Sequence, residues 1–159
     1  MKGNAKVLEL LSEALSEELT AINQYFLHSE LCESWGYEHL QEQIRRESID
    51  EMKHAEKLIE RILFLEGHPD MIKYGPLKIG SKVEEILAND LALEIGAISL
   101  YNRGVGICAE AGDNGTRDLL QGILLDEERH LDWIETQIGL VKELGLANYL
   151  SRQIPASHS

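Results

Sequence analysis

Residues 50–54 read Asp50-Glu51-Met52-Lys53-His54, and 76 positions later residues 126–130 read Asp126-Glu127-Glu128-Arg129-His130. The spacing Glu-x-x-His sets a carboxylate and an imidazole on one face of a helix, about a turn apart. One such pair on an acidic helix is commonplace, because charge runs usually form a solvated face. Two pairs at one offset are not. With the chain laid over itself at the same shift, Leu11 meets Leu87, Leu15 meets Leu91, Ala21-Ile22 meets Ala97-Ile98, and Tyr25 meets Tyr101. Cys32 falls on Cys108 and Glu18 on Glu94. The chain reads as two copies of one helical hairpin.

Leucine on leucine means little, since any two amphipathic helices share an apolar stripe. Polar residues inside the stripe mean more. Steps of three and four run through Ala14, Glu18, Ala21 and Tyr25, and again through Leu87, Asp90, Glu94, Ala97 and Tyr101. Two more stripes run through Ile44, Glu47, Glu51, His54, Leu58 and Ile62, and through Leu120, Ile123, Glu127, His130 and Ile134. Each helix thus turns ionisable groups toward its own core. Glu18 and Glu94 each stand 18 residues before a glycine, Gly36 or Gly112, and Glu51 and Glu127 each stand 15 after one. If those glycines are turns, all four glutamates meet at one level.

A lone buried carboxylate costs several kcal/mol, and four facing one another also repel. A shared proton relieves one pair, not four acids with two histidines. No lysine or arginine lies on the inward stripes near them. A bound cation is the remaining neutraliser, and a mixed oxygen and nitrogen set suits iron or manganese better than zinc in a thiolate site. The expected ligands are Glu18, Glu51, His54, Glu94, Glu127 and His130. Glu51 and Glu127 bridge two ions and Glu18 and Glu94 are terminal. Tyr25 and Tyr101 are expected to hydrogen-bond a ligand from the opposite half.

The remaining signals give the architecture. A first helix runs from about Val7 toward Gly36, and a second from about Leu40 to a stop at Gly67 and Pro69. Residues 67 to 80 have no helical period and carry several breakers. Ser81-Lys82-Val83-Glu84 reads as a capping box for a third helix ending near Ala111. A fourth runs from about Thr116 to Leu144, and a short fifth from Leu146 to Arg152. Helices of this length span ~42 Å. The connection over 67–80 reaches at most ~46 Å, enough to carry the chain back along the bundle. The expected fold is all-α: a four-helix bundle with one long crossover and a short C-terminal helix, in a single domain over 1–159.

A formal net charge of −13 excludes a basic footprint for nucleic acid. No apolar run reaches membrane-spanning length, and the N-terminus runs straight into an amphipathic segment with no apolar signal core. Two cysteines make no disulfide framework and read as reduced thiols of a cytoplasmic protein. His28, His39, His68 and His158 lack interior partners in the pattern and are expected at the surface or in loops.

Four blocks are distinctive: Met1-Lys2-Gly3, Glu18-Leu19-Thr20-Ala21-Ile22-Asn23-Gln24-Tyr25-Phe26-Leu27-His28, Glu47 through Ala55, and Ile62-Leu63-Phe64-Leu65-Glu66-Gly67. With them the chain resembles the bacterioferritin family across its whole length. The resemblance implies a ferritin-like bundle in a cage of twenty-four subunits built from dimers. Such a cage oxidises Fe(II) with dioxygen or peroxide at a di-iron centre in each subunit, stores ferric mineral, and takes electrons from a ferredoxin-type partner. It also implies a b-type haem shared between paired subunits through Met52. The residues alone leave haem and a plain dimer patch equally open. Leu19, Asn23, Phe26, Ile49 and Met52 lie off the inward stripes and are too apolar for a plain solvent face, and Glu128 stands at the repeat position of Met52. Two rival readings also stay open: a di-iron or di-manganese peroxidase or oxygenase, and a non-enzymatic haem or metal carrier. The chain departs from the family at Arg46, where many members carry a histidine that binds iron on the inner surface with the acid matching Asp50. Arginine cannot ligate, and it is expected to pair with Asp50 instead.

Overall fold

In a computed structural model that describes residues 1–156, the chain forms α1 (Ala5–Ser34), α2 (Glu38–Phe64), α3 (Val83–Ala111), α4 (Asn114–Leu144) and α5 (Leu146–Ser151). The described residues contain no strand. The expected boundaries hold to within a few residues. The Asn4 side chain accepts from the backbone N–H groups of Lys6 and Val7 and caps α1. α3 ends where Gly112 takes φ +70°, a left-handed conformation that favours glycine. His158 lies outside the described residues.

The short turns make α1 and α2 antiparallel neighbours, and α3 and α4 likewise. α1 also packs on α3, and α2 on α4. Ser48 Oγ donates to Ile22 O across the first hairpin at 2.9 Å. Arg61, near the end of α2, donates to Thr116 Oγ1 at 2.9 Å and to Asp113 at 3.0 Å, fastening α2 to the start of α4. The apolar interior falls into two clusters. One is built around Leu11, Leu15, Leu58, Leu100 and Leu120. The other is built around Tyr25, Leu40, Ile44, Leu87 and Ile134. Glu18 on α1, Glu47, Glu51 and His54 on α2, Asp90 and Glu94 on α3, and Glu127 and His130 on α4 lie between the two clusters in sequence.

Two expectations are corrected. Ser81 pairs with Glu85, not Glu84: its Oγ lies 3.0 Å from Glu85 Oε1 and its N–H 3.3 Å from Oε2. The helix begins one residue later than the capping box requires, with Lys82 as its N-cap. His28 is fully buried rather than at the surface, whereas His39 and His68 are exposed. Its Nδ1 lies 2.8 Å from Asp90 Oδ1, and its Nε2 accepts from the Gly80 N–H at 3.0 Å. A ladder on α1 explains the burial. Thr20, Gln24 and His28, spaced by four, accept from the crossover N–H groups of Gly75 (2.7 Å), Lys78 (2.9 Å) and Gly80 (3.0 Å). A non-periodic segment carries backbone donors that need partners, and these three side chains supply them. The approach at Gly80 is close: a Cβ there would lie 2.6 Å from the Ile86 amide nitrogen.

Replacing His28 with alanine strands the Gly80 N–H and leaves Asp90 short of a partner. We expect a loss of about 1–3 kcal/mol, the usual cost of an unsatisfied buried group. Urea denaturation would show it, with faster hydrogen exchange at Gly80. An unchanged midpoint would mean that the ladder does not hold the crossover.

Candidate metal centre

All six residues expected as ligands are buried and converge at mid-bundle. They form two overlapping groups whose candidate ligand atoms lie within 4.8 Å of one another: Glu18, Glu51, His54 and Glu127, and Glu51, Glu94, Glu127 and His130. Glu51 and Glu127 belong to both groups, the positions expected of bridges. His54 Nδ1 lies 3.0 Å from Glu127 Oε1 and 3.6 Å from Glu18 Oε2. His130 Nδ1 lies 3.0 Å from Glu51 Oε1 and 3.4 Å from Glu94 Oε1.

Each imidazole turns its other nitrogen outward to an aspartate on the opposite helix. His54 Nε2 meets Asp126 Oδ2 at 2.7 Å, and His130 Nε2 meets Asp50 Oδ2 at 3.1 Å. A carboxylate there fixes the proton on Nε2 of a neutral ring and leaves the Nδ1 lone pair facing inward. Tyr25 Oη donates to Glu94 Oε1, and Tyr101 Oη donates to Glu18 Oε1 at 2.5 Å, each crossing between the two hairpins as expected. The sequence pattern overlooked Asp126 as an orienting group, although the acid ahead of Glu-x-x-His occurs in both halves.

The expected Arg46–Asp50 pair is absent. Arg46 is exposed and donates to Gln43 Oε1 at 2.7 Å, while Asp50 turns inward to His130. An imidazole behind Asp50 competes for it, and Arg46 bonds back along its own helix. A fifth carboxylate, Glu47, has no counterpart in the repeat, where Ile123 stands. It is buried, and burial pushes its carboxyl up to about 8.

Among the described residues, the eight buried side-chain atoms without a hydrogen-bond partner test the fit to cations. Seven belong to the six residues: Glu18 Oε2, Glu51 Oε1, His54 Nδ1, Glu94 Oε2, both Glu127 oxygens and His130 Nδ1. Stranded atoms at this density call for partners, and no buried lysine or arginine supplies them among the described residues. Burial, then the charges of Glu18 and Glu127, push the Glu51 carboxyl well up. Burial takes Glu94 up to about 8, against the pull of His130. Burial works against charge on the imidazoles too, but the surrounding carboxylates outweigh it, and His54 rises to about 12 and His130 to about 10. Protons thus do what cations would do better. Two openings on the α2–α4 side reach the site: one of 210 Å³ beside His54, between Lys53, Lys57 and Asp126, and one of 320 Å³ beside His130, between Gln43, Glu47 and Arg129.

The family model described as the ferritin-like domain matches residues 8–144. The chain is 50% identical over 145 residues to a bacterioferritin of Rhodobacter capsulatus, covering 91% of this chain and 90% of that one. It is 46% identical to a bacterioferritin of Mycobacterium leprae, covering 91% of each chain. It is also 46% identical to one of Brucella melitensis, covering 94% of this chain and 92% of that one.

These shifts predict how the chelator-stripped protein responds to pH. Glu94 and Glu47 rise from 4.5 to about 8, so the folded state holds protons that the unfolded chain releases above that ordinary value. His54 and His130 do the same above 6.5. Both contributions are complete at low pH and are lost as pH rises, so Tm should fall from about pH 5 to about pH 9. Saturating Co(II) should flatten that slope. A stripped protein that gains stability over this range would contradict the burial of these groups as described.

Proposed function

Since the chain belongs to the bacterioferritin family, we propose that it oxidises Fe(II) at this centre and stores the ferric product inside a cage of twenty-four copies. One observation carries the reading: seven stranded buried atoms, on six residues from four helices, surround two adjoining positions that share Glu51 and Glu127. Iron is the substrate as well as the cargo. Two Fe(II) held there supply one electron each to dioxygen or peroxide, which accepts them in pairs.

The residues divide the work. Glu51 and Glu127 span the two positions, so both ions share their negative charge. Glu18 with His54, and Glu94 with His130, close the two ends. Tyr101 and Tyr25 hold the terminal glutamates, and Asp126 and Asp50 hold the imidazoles, so each of these four residues has an orienting partner before an ion arrives. The protons on the imidazoles and Glu94 leave as Fe(II) binds, through the openings beside His54 and His130. Those openings are lined only by charged, imidazole and amide side chains, which suits ions and not the organic substrate of an oxygenase.

The proposal extends to a b-type haem shared between two copies through Met52. Met52 lies on the surface of α2, 56% exposed, near exposed Ile49, with exposed Phe26 on α1. A thioether in an apolar setting is a fitting axial ligand, and a pair of copies would supply two. We also assign the chain to the cytoplasm, as one di-iron domain over 1–159 with a ferredoxin-type reductant. No helix among the described residues is long and apolar enough to cross a membrane.

Glu94→Ala should abolish rapid Fe(II) oxidation, read by stopped-flow absorbance, and leave the helical circular dichroism intact. Oxidation at the parent rate would overturn the site. Met52→Leu should remove the Soret band of the haem-loaded protein and leave the initial oxidation rate unchanged, because residues 51 and 52 point about 100° apart on a helix. An unaltered haem spectrum would remove Met52 as the axial ligand.

A further inference from the structure

The repeat is symmetric in its six inward residues but not around them. On the His54 side, Asp126 holds His54 Nε2 at 2.7 Å through Oδ2, and its Oδ1 is ion-paired with Arg129 one turn along α4. On the His130 side, Asp50 holds His130 Nε2 at 3.1 Å, and the residue at Arg129's repeat position is Lys53, which forms no ion pair among the described residues. Burial follows the same order. The side chains of Asp126 and His54 are 30% and 2% exposed, and those of Asp50 and His130 are 46% and 7% exposed.

We infer that Arg129 is a positioning residue that makes the two metal positions inequivalent, so that the one closed by Glu18 and His54 fills first. The inference rests on the di-iron reading above. Asp50 is tied at one oxygen only and is nearly half exposed, so it keeps more rotamer freedom than a doubly tied aspartate and leaves part of the ordering of its imidazole to ion binding. An aspartate tied at Oδ1 keeps Oδ2 on the ring and keeps Nδ1 aimed inward beforehand, and that ordering cost is already met. The guanidinium itself is exposed, so water screens its charge from the ions. What it supplies is orientation, and a pair exposed to solvent makes a modest contribution. The preference it adds is about two- to five-fold in relative occupancy.

The test is anomalous diffraction from crystals of the chelator-stripped protein soaked with one equivalent of Co(II) per chain, at the cobalt absorption edge. The parent should show the stronger peak beside Glu18 and His54. In Arg129→Gln, a surface change that leaves the six inward residues in place, the ratio of the two peaks should fall by about two- to five-fold toward parity. A parent with equal peaks, or with the stronger one beside His130, overturns the inference while the di-iron reading stands. A parent ratio that Arg129→Gln leaves unchanged removes Arg129 from the account. Absence of cobalt from both positions overturns the di-iron reading itself.

Discussion

Four carboxylates and two imidazoles share one buried layer without a cation of the chain's own to balance them, and the rest of the architecture follows from that. A buried ionised group costs several kcal/mol when unpaired, and like charges add repulsion. Such a layer is tolerable only with protons, or better divalent ions, to neutralise it. The upward shifts of Glu51 and Glu94 record the strain of burial, and those of His54 and His130 record how strongly the acids recruit positive charge. The site therefore opposes folding when empty at high pH and favours it when filled.

The bundle is built to bear this layer. Two apolar clusters supply the burial energy, and long helices carry the six inward side chains on unbroken backbone, where their spacing is set by the helical repeat. Hairpin symmetry lets each half stabilise the other. Tyr25 of α1 reaches Glu94 of α3, Tyr101 of α3 reaches Glu18 of α1, and the aspartates of α2 and α4 steer each other's imidazoles. Neither hairpin completes the site alone. The crossover that joins them is pinned to α1 by Thr20, Gln24 and His28, which keeps the α1–α3 contact in register.

The six inward residues were legible because polar groups inside an apolar stripe are conspicuous, and because the chain repeats the pattern. Helix ends were legible from Gly36, Gly67, Gly112 and Gly145. What the pattern hid was whatever depends on a path rather than a period. His28 lies on a line with Thr20 and Gln24, but the segment covering that line has no periodicity from which to trace it. Ser81 has two adjacent glutamates within reach, and only the start of α3 decides for Glu85. Arg46 has acid and amide partners on the same helix, and the pull of His130 on Asp50 settles the choice in three dimensions.

This layer should take up two ions and no more. Equilibrium titration of chelator-stripped protein with Co(II), followed by the visible ligand-field bands, should reach a sharp end point at two Co(II) per chain, with protons released in step. Weak binding with no end point, as expected of scattered surface acids, would contradict it.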